Sequence, residues 1–152
     1  MTIQKFLEVY PPKRLWHKLW FAIATLPMMP HMRAKCLKLA GVHISRNAMI
    51  YDHVCLDKVY PENIYIGNAV RITAGTFILT HYLDPTQSGV HFRKGEVHIE
   101  DDVFIGVNTS ICSSVTIGKG AIVGAGSVVT KDIPAYQVWA GNPARYIKDR
   151  AH

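Results

Sequence analysis

Ile99, Ile105, Ile111, Ile117, Val123 and Val129 stand six residues apart, and Ile66, Ile72 and Ile78 keep the same step before one interruption between residues 79 and 98. A helix needs apolar spacings near 3.6, which a six-residue period does not supply. A second position confirms the phase. Four residues after each aliphatic comes something small or β-branched: Val70, Thr76, Val103, Thr109, Val115, Ala121 and Ser127, with only Tyr82 breaking the rule. Ile44, Ile50 and Leu56, with Ala48 and Val54, extend the pattern upstream in a shifted phase. The repeat predicts an all-β solenoid, a three-sided coil whose short strands each send one large aliphatic into a narrow interior. Gly67, Gly106, Gly118 and Gly124 would relax its corners.

A chain of 152 residues is most simply one domain around one core. Its net charge of +6 suits an anionic ligand or surface. The basic residues are not interleaved with aromatics on a recognisable module, so no nucleic-acid partner is expected. Cys36, Cys55 and Cys112 form no close pair and no C-x-x-C, so neither a zinc knuckle nor a disulfide framework is indicated, and reduced cytosol fits best.

The start, with Gln4, Lys5 and Glu8, lacks a signal-peptide layout, which predicts a cytoplasmic protein. The apolar stretch 19–29 is interrupted by Pro27 and stops well short of the roughly 20 residues that a bilayer crossing needs. Residues 1–41 read as a helical segment broken near Pro27, 42–133 as the solenoid with a loop inserted at 79–98, and 134–152 as a loop followed by a short basic helix. Two readings of the first segment stay open. It caps the end of the coil, as terminal repeats require. Alternatively it touches the inner face of an anionic membrane through Trp16, Trp20 and Phe21, with Lys13, Arg14 and Lys18 beside them.

Three stretches carry a family resemblance: THYLDP (80–85), VTIGKGAIVGAGSVVTKDIP (115–134) and AGNPARYIK (140–148). In this order they resemble the hexapeptide-repeat O-acetyltransferases, above all the maltose and galactoside, streptogramin and polysaccharide members. The resemblance covers 42–148 and implies a left-handed parallel β-helix, a homotrimer with active sites between subunits, and acetyl-CoA as cosubstrate with no metal. Glu100, Cys112, Ser113 and Ser114 depart from the usual pattern near the cleft, which touches the acceptor more than the fold.

Moving an acetyl group from a thioester to a hydroxyl requires a base, because the hydroxyl proton must leave as the C–O bond forms. His81 matches the family's catalytic histidine, and its ordinary pKa near 6.5 leaves a neutral acceptor form available. His53 and Asp57 stand where relatives bind acceptor, and a local turn is the competing role for Asp57. Asp84 either orients the histidine or shapes the turn before Pro85. His17, His31, His43, His91, His98 and His152 lack the same local context.

By the same resemblance, backbone around Gly106, Val107, Gly124 and Ala125 faces the pantetheine arm, Thr130 and Lys131 lie toward the nucleotide, and Arg145 or Lys148 pairs with phosphate. Trp139 either packs on the donor or seals the last coil. The reading that results is an acetyl-CoA-dependent O-acetyltransferase acting on a saccharide, with a surface-polysaccharide precursor as acceptor. Two alternatives stand beside it: a metalloenzyme of the γ-class carbonic anhydrase type, for which the histidine spacing is wrong, and a non-catalytic solenoid scaffold.

Overall fold

The computed structural model describes residues 12–84 and 86–151. The first eleven residues, Pro85 of the THYLDP stretch and His152 lie outside them. From Val42 onward the chain winds through three parallel sheets in turn, so that each strand pairs with its counterpart one coil later. Face one holds β1 (His43–Ile44), β4 (Ile64–Ile66), β9 (Val97–Ile99) and β12 (Val115–Ile117). Face two holds β2 (Met49–Ile50), β5 (Arg71–Ile72), β10 (Phe104–Ile105), β13 (Ile122–Val123), β15 (Gln137–Ala140) and β16 (Arg145–Asp149). Face three holds β3 (Cys55–Leu56), β6 (Phe77–Ile78), β11 (Ser110–Ile111) and β14 (Val128–Val129).

The register turns the six-residue spacing into columns. Ile44, Ile66, Ile99 and Ile117 stack on face one. Ile50, Ile72, Ile105 and Val123 stack on face two. Leu56, Ile78, Ile111 and Val129 stack on face three. All of these residues are buried. The coil repeats every 18 residues from Ile99 to Ile117, but every 22 from Ile44 to Ile66 and every 33 from Ile66 to Ile99. The upstream set is out of phase because the extra residues around Val59–Asn63 loop out at the corner, while pairing on the faces continues unbroken.

Corners between faces one and two, and between faces two and three, need backbone in the left-handed region. Asn47, Ala69, Asp102 and Gly120 supply the first, and His53, Gly75, Asn108 and Gly126 the second, again six residues on. Gly106 answers a different need, since a Cβ there would stand 2.5 Å from the Ala125 backbone nitrogen in the next coil.

Two helices precede the coil, α1 (Pro12–Ala24) and α2 (Pro30–Leu39). Neither is long and apolar enough to cross a membrane. Phe21, Ala24, Ala34 and Leu37 bury against the first coil. Arg33 ties this joint together from inside. Its guanidinium donates to the carbonyls of Ala24 (2.9 Å), Ile50 (3.1 Å) and Leu26 (3.3 Å) and pairs with Asp52. Arg33→Met should therefore cost about 3 kcal/mol, because several buried acceptors lose their donor at once. Asp52→Asn, at an exposed carboxylate, should cost under about 1 kcal/mol. Urea denaturation of the two variants checks the difference.

The end of the chain departs from expectation. Ile133 bridges Ile117, and Val138 and Trp139 pair with Ile122 and Val123, so the coil runs on past Pro134 with one shortened turn. Residues 145–149 form the strand β16, antiparallel to β15, and not the expected basic helix. The last strand of face two would otherwise present unpaired N–H and C=O groups, and a returning strand satisfies them. Arg150 then fastens that strand down, donating to the carbonyls of Gly120 (2.8 Å) and Asp102 (3.0 Å).

Candidate active site

The inserted segment leaves the coil where face three turns into face one. It forms a hairpin of β7 (His81–Leu83) and β8 (Phe92–Lys94), with His81 opposite Lys94. This hairpin is narrower than the expected 79–98 insertion, because Leu79 and Thr80 still follow the coil and Val97 has rejoined it. Its neck is closed by the Gly95 N–H on the Thr80 carbonyl at 2.8 Å, and Asn63 Nδ2 reaches the Gly95 carbonyl at 2.9 Å.

Below the neck lies Asp57, only 1 % exposed. Its Oδ2 accepts from His81 Nδ1 at 2.6 Å, from the Thr80 hydroxyl at 2.7 Å and from the Thr80 N–H at 3.0 Å. Its Oδ1 accepts from the N–H groups of Val59 at 2.8 Å and Tyr60 at 3.3 Å. Burial alone would push the carboxyl pKa up, but the donors from His81, Thr80 and Val59 outweigh it and bring it down to about 2. Asp57 is thus an anion at any working pH. That anion keeps the His81 proton on Nδ1, which leaves Nε2 with a free lone pair. The His81 side chain is 29 % exposed, with the rings of Tyr60 and Phe92 each 5.9 Å away in edge contact. Lys94 Nζ sits 4.2 Å over the Tyr60 ring. A half-covered imidazole whose Nδ1 faces a buried carboxylate is able to act as a general base.

The other acceptor-side residues fall elsewhere. Asp84 is buried within the hairpin and accepts from the Thr86 hydroxyl (2.6 Å), the Thr86 N–H (3.0 Å), Gln87 (3.0 Å) and Arg93 (2.9 Å), bonds that hold its carboxyl well below the usual range. It shapes the loop and does not touch His81. His53 stands at the corner between faces two and three, a whole strand away from Asp57. Sequence reasoning alone misses Tyr60, Phe92 and the partnership of Asp57 with His81. The available signal was an Asp placed directly after the inward Leu56, beside Ile78 of the next coil.

Donor-side candidates occupy two different edges. Val107, Gly124 and Ala125 lie at the corner between faces two and three, where the Gly126 N–H bonds the Val107 carbonyl at 2.8 Å and small residues leave the backbone open. Thr130 and Lys131 are exposed on the corner that carries His81, two coils further along. Trp139 takes the inward position above Val123 at the end of the coil, 7 % exposed. Lys131 Nζ lies 5.1 Å over its ring. Arg145 and Lys148 are exposed on β16. Of the departures noted above, Glu100 accepts the Lys119 N–H at 2.7 Å, and the Ser114 hydroxyl stitches to the Glu96 backbone at the foot of the hairpin. Among the described residues no three His, Cys, Asp or Glu side chains converge as a metal set would.

The geometry has counterparts in known proteins. Residues 96–131 match the family model of the hexapeptide repeat of succinyl-transferase. The fold overlays a maltose O-acetyltransferase from Clostridium difficile 630 with a TM-score of 0.72 and 26 % identity, covering 92 % of this chain and 87 % of that one. In repeat and in fold the chain is similar to the hexapeptide-repeat acetyltransferases. A second structural neighbour, galactoside acetyltransferase in complex with coenzyme A, overlays with a TM-score of 0.70 and 26 % identity over 93 % of this chain and 82 % of the other. Among curated relatives, Bacillus subtilis (strain 168) YvoF, an acetyltransferase by name, is 44 % identical over 60 % of this chain and 51 % of its own length. A 2,3,4,5-tetrahydropyridine-2,6-dicarboxylate N-acetyltransferase of Staphylococcus aureus (strain JH9) is 45 % identical over 54 % of this chain and 31 % of its own length. The hexapeptide-repeat chain described here thus spans about half the length, or less, of the curated relatives it matches.

Proposed function

We propose that this protein transfers an acetyl group from acetyl-CoA to a hydroxyl of a saccharide, with His81 as general base. The observation that carries the reading is the buried Asp57 holding His81 at the neck of the hairpin. In this mechanism Nε2 of His81 accepts the hydroxyl proton while the oxygen attacks the thioester carbonyl. Collapse of the tetrahedral intermediate breaks the C–S bond, and the CoA sulfur leaves with the proton from the imidazolium. Asp57 stabilises the imidazolium and fixes its orientation, as in triad chemistry generally. The coenzyme A bound to the galactoside enzyme supports the donor. The maltose and galactoside neighbours support a sugar hydroxyl as acceptor.

Further parts of the reading belong with it. We take the coil to be left-handed and the working unit to be a homotrimer. Val107 and Ala125 lie on one edge of face three, and Thr130 and Lys131 on the other. Two neighbouring copies can bring opposite edges to one donor molecule, which supports a site between subunits. Lys131, Arg145 and Lys148 then supply cations for its phosphates. The acceptor we favour is a surface-polysaccharide precursor met in the cytoplasm at the inner face of the membrane. An amine acceptor is the second reading, favoured by the N-acetyltransferase relative.

The test is release of CoA thiol from acetyl-CoA in the presence of maltose, galactosides and sugar nucleotides, beside a matching panel of amines. Acceptor-dependent release with the hydroxyl compounds is the expected result. Release with amines alone would replace O-transfer by N-transfer, and absence of acetyl-CoA binding at millimolar donor, by calorimetry on folded protein, would overturn the reading altogether.

A further inference from the structure

The helical segment carries the charge excess of the whole molecule. Residues 12–40 hold Lys13, Arg14, Lys18, Arg33, Lys35 and Lys38 and no Asp or Glu, which equals the net +6 of the full chain. Arg33 is turned inward onto Asp52, and the other five cations are exposed.

Helix α1 has two apolar faces. His17, Phe21 and Ala24, at spacings of four and three, face the coil: Phe21 and Ala24 are buried, and His17 packs over Gly41. The second face, Leu15 and Leu19, points outward, with Trp16 beside it, Ile23 half-buried one turn further on and Leu26 exposed beyond the helix. Trp16 is 50 % exposed and Leu19 51 %. On α2 and its approach, Met29, Met32 and Leu39 are also exposed, with Lys35 between the last two. A helix that serves only as a cap buries its apolar side and is polar outside. Here the outward side combines apolar residues, an interfacial tryptophan and flanking cations, the composition of a helix that lies in a lipid headgroup layer. Of the residues expected from sequence to join such a contact, Phe21 is instead part of the core and Trp20 is half-buried against it.

We propose that the outward face of the α1–α2 segment, centred on Leu15, Trp16 and Leu19, docks on an anionic lipid surface. The inference rests on charge and exposure alone and does not depend on the transferase reading. The five outward cations supply attraction to anionic headgroups, which is screened by salt, and the stripe supplies shallow burial among the acyl chains.

The test is co-sedimentation of the full chain with phosphatidylcholine vesicles containing about a third phosphatidylglycerol, beside pure phosphatidylcholine vesicles. Binding to the anionic vesicles should be at least ~10-fold stronger than to neutral ones and should fall away in molar salt. Trp16→Ser with Leu19→Ser, and separately Lys13→Glu with Lys35→Glu, should each weaken it by ~10-fold or more while circular dichroism stays unchanged. Equal binding to both vesicle types, or none to either, overturns the proposal. A fall in mass by light scattering for the Trp16/Leu19 variant would assign the face to contact between copies and overturn it equally.

Discussion

His81→Ala is expected to lower kcat by ~10²–10⁴-fold, the range that a positioned general base contributes, with little change in donor affinity. The side chain is partly exposed, and Asp57 keeps its bonds from Thr80, Val59 and Tyr60 when the His81 donor is lost, so the fold should survive and the loss should lie in the chemical step. Single-turnover acetyl transfer with saturating donor measures it. A variant retaining near wild-type rate would remove His81 from the mechanism, and the hairpin would then need another base.

Asp57→Asn should act twice. It exchanges an acceptor for an amide that can turn its NH2 toward Nδ1, which favours the tautomer with the proton on Nε2, where the base must be empty. A drop of ~10²–10³-fold in kcat is expected, smaller than the triad precedent because other donors still hold the loop. The second effect is on stability. The folded carboxyl titrates near 2 against an ordinary 3.8, so the ionised form stabilises the fold above pH 3.8, and that contribution is lost as pH falls through 2. A shift of this size is worth about 2 kcal/mol. Urea midpoints between pH 6 and pH 2 should therefore decline less steeply in Asp57→Asn than in the parent, from a lower starting point. Asp84→Asn is the useful companion, since it should loosen the hairpin while leaving the bond between Asp57 and His81 in place.

How far the sequence could be read depended on whether a feature was local. The aliphatic columns were legible because a coil returns to the same face after a fixed number of residues, so Ile72, Ile105 and Val123 announce one another. The two longer steps also left a trace, as a change of phase after Leu56 and as the interruption after Ile78. Asp57 was harder. Its partner is 24 residues on, and the pairing emerges only after the Val59–Asn63 insertion is set aside. Tail residues 145–149 misled for a different reason: local propensity suggested a helix, while the open edge of β15 supplied a partner that no local pattern reveals. The outward stripe of α1 could not be told from its inward one, because Leu19 and Phe21 are equally apolar and only packing separates them.

The pinched neck at Thr80 and Gly95 has a bearing on how such a protein can change. Because the strands on either side stay in register whatever leaves through that gap, the hairpin is an exchangeable cassette. Lengthening it costs little in closure entropy, and substitutions along Leu83–Phe92 leave the stacked interior untouched. On the proposed mechanism, other acceptors can therefore be sampled there by grafting, with Thr80, His81 and Asp57 kept as the fixed frame.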